Sequence, residues 1–125
     1  METSVPSKIK RMSPQLLVKD IARAVQFYAN ALGFSVDFRY EDFYAGIIKD
    51  GYSIHLKVDG DNAEGKSSQG NSENVSIIFN ISHIESLYDE LCTEGISISQ
   101  SLRDMPYGKE FYIADPDGNI LAFLE

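Results

Sequence analysis

Apolar and polar positions change period several times along the chain, and each change marks an element. Gln15-Leu16-Leu17-Val18 is a short run of strand character, and Asp20 follows it in N-cap position. From there Ile21, Ala24, Val25, Tyr28 and Leu32 recur at helical spacing on one face, which predicts a helix over 21–32 that stops at Gly33. Three strand-like runs follow, Ser35 to Arg39, Phe43 to Lys49 and Tyr52 to Val58, with Asp50-Gly51 as a tight hairpin turn between the last two. Residues 59–74 contain Ala63 as their only apolar side chain and read as a polar Gly/Ser/Asn linker.

The pattern then starts again. Val75 to Ile81 predicts a strand, and Ser82 an N-cap that forms a capping box with Glu85. A helix is expected over 83–94, burying Ile84, Leu87, Tyr88 and Leu91 and ending at Gly95. His83 falls in its first turn and reads as a surface residue. Strands follow near Ile96 to Leu102, Glu110 to Ala114 and Asn119 to Leu124, with Asp117-Gly118 as the last turn. Asp20 to Gly33 and Ser82 to Gly95 have the same spacing, and each half ends with a strand preceded by an Asp-Gly turn. Internal duplication of a βαβββ unit accounts for this best. The fold class expected is therefore α+β, with tandem βαβββ modules forming curved mixed sheets. The expected organisation is a flexible tail at 1–12 and a single domain over 13–125. Within that domain the modules span 13–58 and 75–125, joined by the linker 59–74.

Composition narrows the picture. At 125 residues and 43% hydrophobic, the chain has room for one domain with its own core. Its single cysteine, Cys92, excludes an internal disulfide and reads as a buried helical thiol. From residue 13 onward there are eighteen acids against eight bases, and the whole chain carries a net charge of −8. Such a surface repels phosphate backbones, so nucleic acid is a poor partner, whereas a cationic small molecule is attracted. No apolar run is long enough to span a bilayer, and the N-terminus lacks the apolar core of a signal peptide. No membrane partner is expected, and the sequence reads as that of a soluble, cytoplasmic protein.

Two segments, LVKDIARAVQFYANALGF (17–34) and YGKEFYIADPDGNILAFLE (107–125), resemble the glyoxalase/bleomycin-resistance group, the vicinal oxygen chelate superfamily. Within it, SPQLLVKDIARAVQFYANALGFSVDF, EDFYAGIIKDG and PYGKEFYIADPDGN are most similar to the bleomycin-resistance subfamily. The resemblance implies the glyoxalase/bleomycin-resistance fold and a homodimer whose N-terminal strands are exchanged, with Pro14 near the crossing. Metal-dependent members take one ligand from each of four strands. Carried over, those positions are Ser13, His55, Ser76 and Ala122, of which only His55 ligates well, so neither metal nor other cofactor is expected.

The antibiotic-binding members hold a large cationic ligand in a dimer-interface groove between aromatic side chains. The matching positions are Tyr44, before Ala45-Gly46, and Tyr107, before Gly108, where tryptophan is usual. Phe43 beside Tyr44 takes the stacking role if the strand register differs. His55 alternates with Ile54 and Leu56 and so shares a face with Ser53 and Lys57, the face that lines the cavity in the family. The function expected is non-catalytic sequestration of a cationic or aromatic small molecule, with a bleomycin-like antibiotic as one candidate and no catalytic residue. The alternative is a lyase, isomerase or epimerase of the same fold.

Overall fold

The backbone of Asp20 is extended, and its carboxylate accepts the Arg23 N–H at 3.0 Å, so the first helical turn begins with one orphan donor satisfied. The helix it opens, α1 (Ile21–Leu32), buries Ile21, Ala24 and Tyr28. It closes at Gly33, whose φ of 81° is a left-handed cap that a side chain would strain. The structure, a computed structural model, describes residues 7–59 and 74–125. Most of the expected linker 59–74 and the first half of the expected tail 1–12 lie outside these residues.

Around α1 stand β1 (Gln15–Val18), β2 (Ser35–Tyr40), β3 (Tyr44–Lys49) and β4 (Tyr52–Val58), in sheet order β1-β4-β3-β2. β1 runs parallel to β4, and the other pairs are antiparallel. Asp50 and Gly51 both have positive φ, as a two-residue hairpin matched to strand twist requires. The second half repeats the plan with β5 (Val75–Asn80), α2 (Ile84–Thr93), β6 (Ile98–Met105), β7 (Gly108–Ala114) and β8 (Ile120–Leu124). Its order is β5-β8-β7-β6, and β5 is parallel to β8. Identical strand orders in the two halves bear out the expected duplication and the α+β class of two four-stranded mixed sheets.

Two local expectations need correction. Ser82 does not cap α2, and no capping box with Glu85 forms. His83 is the N-cap residue, in left-handed backbone and without a side-chain cap bond. The Glu125 carboxylate takes over the task, accepting from His83 N at 3.2 Å and Ile84 N at 2.8 Å. Cys92 is exposed rather than buried. It follows the buried Leu91 by about 100° around the helix and so faces outward.

Each sheet turns one face to its helix. Ala45, Ile47, Ile54 and Leu56 pack under α1, and Phe111, Ile113, Leu121 and Phe123 join Ile84 and Leu91 of α2. These residues form one core spanning both halves, each large side chain contributing roughly 1.5–3 kcal/mol. The halves are also pinned by polar bonds. The buried Tyr28 hydroxyl donates to Asp115 Oδ2 at 2.7 Å, while Lys19 N and Arg23 Nη2 donate to Asp117 Oδ1 at 2.9 and 2.8 Å. Asn119 Nδ2 reaches Leu17 O at 3.1 Å. Burial first, then the Asp115 charge, pushes the Tyr28 phenol far above its ordinary value. This latch fixes the first module to the second within one chain and leaves the far face of each sheet open. Among the described residues, no helix is long and apolar enough to cross a membrane.

Candidate functional site

Strand alternation decides what the open face of the first sheet carries. Because Ala45 and Ile47 point into the core, Tyr44 and Gly46 point away from it, opposite Lys57 and His55 of β4. Across β3 on the other side, Tyr40 pairs with Tyr44 and Phe38 with Gly46. Gln15 of β1 pairs with His55. Six side chains from four strands, Gln15, Phe38, Tyr40, Tyr44, His55 and Lys57, therefore meet on one surface.

Their geometry is that of a ring cluster. Phe38 lies near parallel to Tyr44, with centroids 6.1 Å apart, and meets the His55 ring edge-on at 5.2 Å. Tyr44 and His55 are themselves edge-to-face at 5.4 Å. Gly46 makes this possible, since a Cβ there would stand 2.2 Å from Phe38 Cε2, inside the ring's van der Waals surface. The Tyr44 hydroxyl bonds His55 Nδ1 at 2.8 Å and donates to Gln15 Oε1 at 3.2 Å. With the Tyr44 proton on Gln15, Nδ1–H is the donor to the phenol oxygen. Tyr40 and Leu17 flank the cluster, 58% and 41% exposed. Phe43 sits in the β2–β3 turn and is also exposed, with its N–H bonded to Tyr40 O at 3.2 Å. The observed register puts Tyr44, not Phe43, on the open face.

Tyr107 lies in the turn joining β6 to β7 of the second sheet and is 60% exposed. The structure brings Tyr44 and His55 together but places Tyr107 in a different cluster. Its hydroxyl donates to Glu110 Oε1 at 2.7 Å, and Glu110 Oε2 accepts from Arg103 Nε at 2.8 Å and pairs with Nη2 at 2.6 Å. The Arg103 guanidinium lies 5.9 Å from the Tyr112 ring centroid, within cation–π reach. Burial alone would raise the Glu110 carboxyl, but the bonds from Tyr107 and Arg103 and the guanidinium charge outweigh it and hold it below the usual carboxylate range. The Glu110 hydrogen bond in turn raises the Tyr107 phenol. Ile78, 60% exposed on β5, lies beyond Ala122 on this same face.

On the helix side, a groove of about 290 Å³ runs between α1 and the second module, lined by Phe27, Ala31, Ile96 and Pro116 with Arg23 and Glu94 at its rim. It contains none of the residues that the sequence singled out.

A profile of the Glyoxalase/Bleomycin resistance protein/Dioxygenase superfamily matches residues 8–123. The chain belongs to this superfamily. It is 29% identical to a Bleomycin resistance protein of Geobacillus stearothermophilus over 90% of this chain and 93% of that one. A Staphylococcus aureus protein of the same description matches equally well. Among solved structures, the bleomycin-binding protein from bleomycin-producing Streptomyces verticillus, complexed with copper(II)-bleomycin, aligns with a TM-score of 0.70 at 20% identity, covering 94% of this chain and 97% of that one. TioX from Micromonospora sp. ML1 aligns at 0.74 and 21%, covering 91% and 96%. At these identities the two structures establish the shared fold.

Superfamily membership raises the question of a divalent metal, and the residues present do not fit one. Ser13 Oγ is bonded to Ser53 Oγ, and His55 Nδ1 to Tyr44. Ser76 is exposed on β5, and Ala122 has no donor atom. Neutral serine hydroxyls are poor ligands, so the His55 imidazole is the one strong donor of the four positions, short of the three or four ligands such ions need. Among the described residues there is no cluster of three or more His, Cys, Asp or Glu able to hold a metal.

Sequence reasoning missed Phe38, Gln15, Arg103 and Glu110. Phe38 and Tyr40 alternate as a pair, a signal that was available. The Arg103–Glu110 pairing depends on a β6–β7 register that shifts twice, and nothing local announces it.

Proposed function

We propose that this protein is a non-catalytic binder that sequesters a planar, cationic or aromatic small molecule against its open sheet faces, in grooves completed by a second copy of the chain. The observation that carries this reading is the Phe38–Tyr44–His55 ring cluster on the side of the first sheet away from α1. A planar cation stacks favourably on such faces, and the net charge of −8 draws it in. The Tyr107 ring of the second sheet supplies the facing wall in this reading. Tyr40, Ile78 and Tyr107, each more than half exposed, are the side chains that a paired copy and its ligand cover. The bleomycin-resistance relatives at 29% identity and the bleomycin-binding structural neighbour support an antibiotic of that type as the ligand. The missing metal donors support binding over the metal-dependent chemistry of the superfamily.

Calorimetric titration with copper(II)-bleomycin tests the proposal, together with sedimentation to establish whether the species is twice 14.0 kDa. Saturable binding, weakened roughly tenfold (about 1.4 kcal/mol) in Tyr107→Ala, is expected. The Tyr44–His55 hydrogen bond favours one second reading, a lyase, isomerase or epimerase in which His55 Nε2 accepts a substrate proton. Chemical conversion of a bound small molecule, lost in His55→Gln, would select it.

A further inference from the structure

Glu110 is the one carboxylate of the β6–β8 sheet strands that is buried, 2% exposed, and it lies on the face turned away from α2. A carboxylate in that position is costly unless its oxygens are occupied, and both are. Oε2 takes the Arg103 fork and Oε1 takes the Tyr107 hydroxyl. Tyr107 itself stands in a two-residue turn with its ring mostly in solvent, and Gly108 beside it has a φ of 133°. Without a tether such a ring samples several rotamers, and ligand binding would have to freeze it. Arg103 is the matching case, a long side chain 41% exposed that pairs with Glu110 and lies within cation–π reach of the Tyr112 ring.

Accepting that the open faces bind the ligand, we propose that Glu110 is a positioning residue that presets the Tyr107 ring, through its hydroxyl, as one wall of the ligand groove. The carboxylate touches no ligand in this arrangement. Its charge is spent on Arg103, and its second oxygen fixes the angle at which the Tyr107 face is offered. The phenol hydroxyl is thereby committed to the protein, so Tyr107 reads its ligand by its ring face alone.

A double-mutant cycle with Glu110→Gln and Tyr107→Phe tests this, with copper(II)-bleomycin as the probe. Tyr107→Phe removes the tether and should weaken binding about fivefold, the equivalent of one hydrogen bond. Glu110→Gln leaves an amide oxygen that still accepts the phenol, so its loss should be smaller, and the double mutant should be no weaker than Tyr107→Phe alone. Spectrophotometric titration of the phenols supplies a readout independent of the ligand. The transition that Tyr107→Phe removes should move to lower pH in Glu110→Gln, because Glu110 holds that proton in place. Additive losses of affinity, or a Tyr107 transition unmoved in Glu110→Gln, would overturn the positioning role while leaving the binding reading intact. Failure of the wild type to bind the probe would overturn both. Should Glu110→Gln not fold, Tyr107→Phe decides, with unchanged affinity contradicting the proposal.

Discussion

Gly46 is the position where the arrangement of the open face can be challenged with a single methyl group. In Gly46→Ala the new Cβ would lie 2.2, 2.6 and 2.8 Å from three carbons of the Phe38 ring. Carbon atoms settle at about 3.5–4.0 Å, so the ring must retreat by more than 1 Å at roughly that contact distance. It is half-buried and bounded by Tyr44 and His55, so retreat means swinging toward solvent and leaving both contacts. Overpacking of this kind costs about 1–3 kcal/mol, and a ring with one open side places the expected cost near the low end, about 1.5 kcal/mol. With an unfolding entropy of about 2.1 cal/mol/K per residue, that lowers the melting midpoint by roughly 6 °C. Urea unfolding of Gly46→Ala, Phe38→Ala and the double mutant isolates the cause. In the Phe38→Ala background the methyl group has space, and the Gly46→Ala penalty should fall below about 0.5 kcal/mol. An equal penalty in both backgrounds would refute the claim that the ring rests on Gly46.

Other expectations follow from the same contacts. Tyr28→Phe removes a buried bond to a carboxylate that joins the two modules, and should cost about 2 kcal/mol in urea unfolding. A folded-state Glu110 carboxyl held below its unfolded value contributes stability that is fully present above about pH 4.5 and is lost as pH falls toward the folded value, so wild type should lose more stability than Glu110→Gln on acidification below pH 4.5. Elemental analysis of protein prepared without chelator should find less than a stoichiometric amount of zinc, nickel, manganese or iron, because Ser13, Ser76 and Ala122, at the positions where the family resemblance leads one to expect ligands, supply no strong donor. One equivalent per chain, lost in His55→Ala, would contradict that.

What could be read in the sequence divides along a physical line. The bounds of α1 are legible because Asp20 and Gly33, the residues that start and stop it, lie next to it in the chain. The start of α2 is not, because its capping carboxylate belongs to Glu125, forty-one positions from Ile84. The face of His55 is legible from strand alternation, a local rule of period two, whereas Tyr44 is singled out by the family resemblance. Phe38 and Glu110 are legible from neither, since their significance arises across strands, behind a bulge between Val36 and Phe38 and two register shifts in the β6–β7 pair. The exposure of Cys92 depends on which side of α2 meets the sheet, and a composition argument for buried thiols has no access to that. The duplicated architecture was the easiest feature to see, because two equal helix spacings and two Asp-Gly turns repeat it in plain text.

The central claim is that the open sheet faces, and not the helix-side groove, receive the ligand. Amide chemical-shift mapping of isotopically labelled protein, titrated with metal-free bleomycin, tests it most directly. The account predicts saturating shifts centred on Gln15, Phe38, Gly46 and His55 and on Gly108 and Glu110. Shifts confined to Arg23, Phe27 and Ile96 around the helix-side groove, or none with ligand at about 100 μM, a standard free energy near −5.5 kcal/mol, would contradict it.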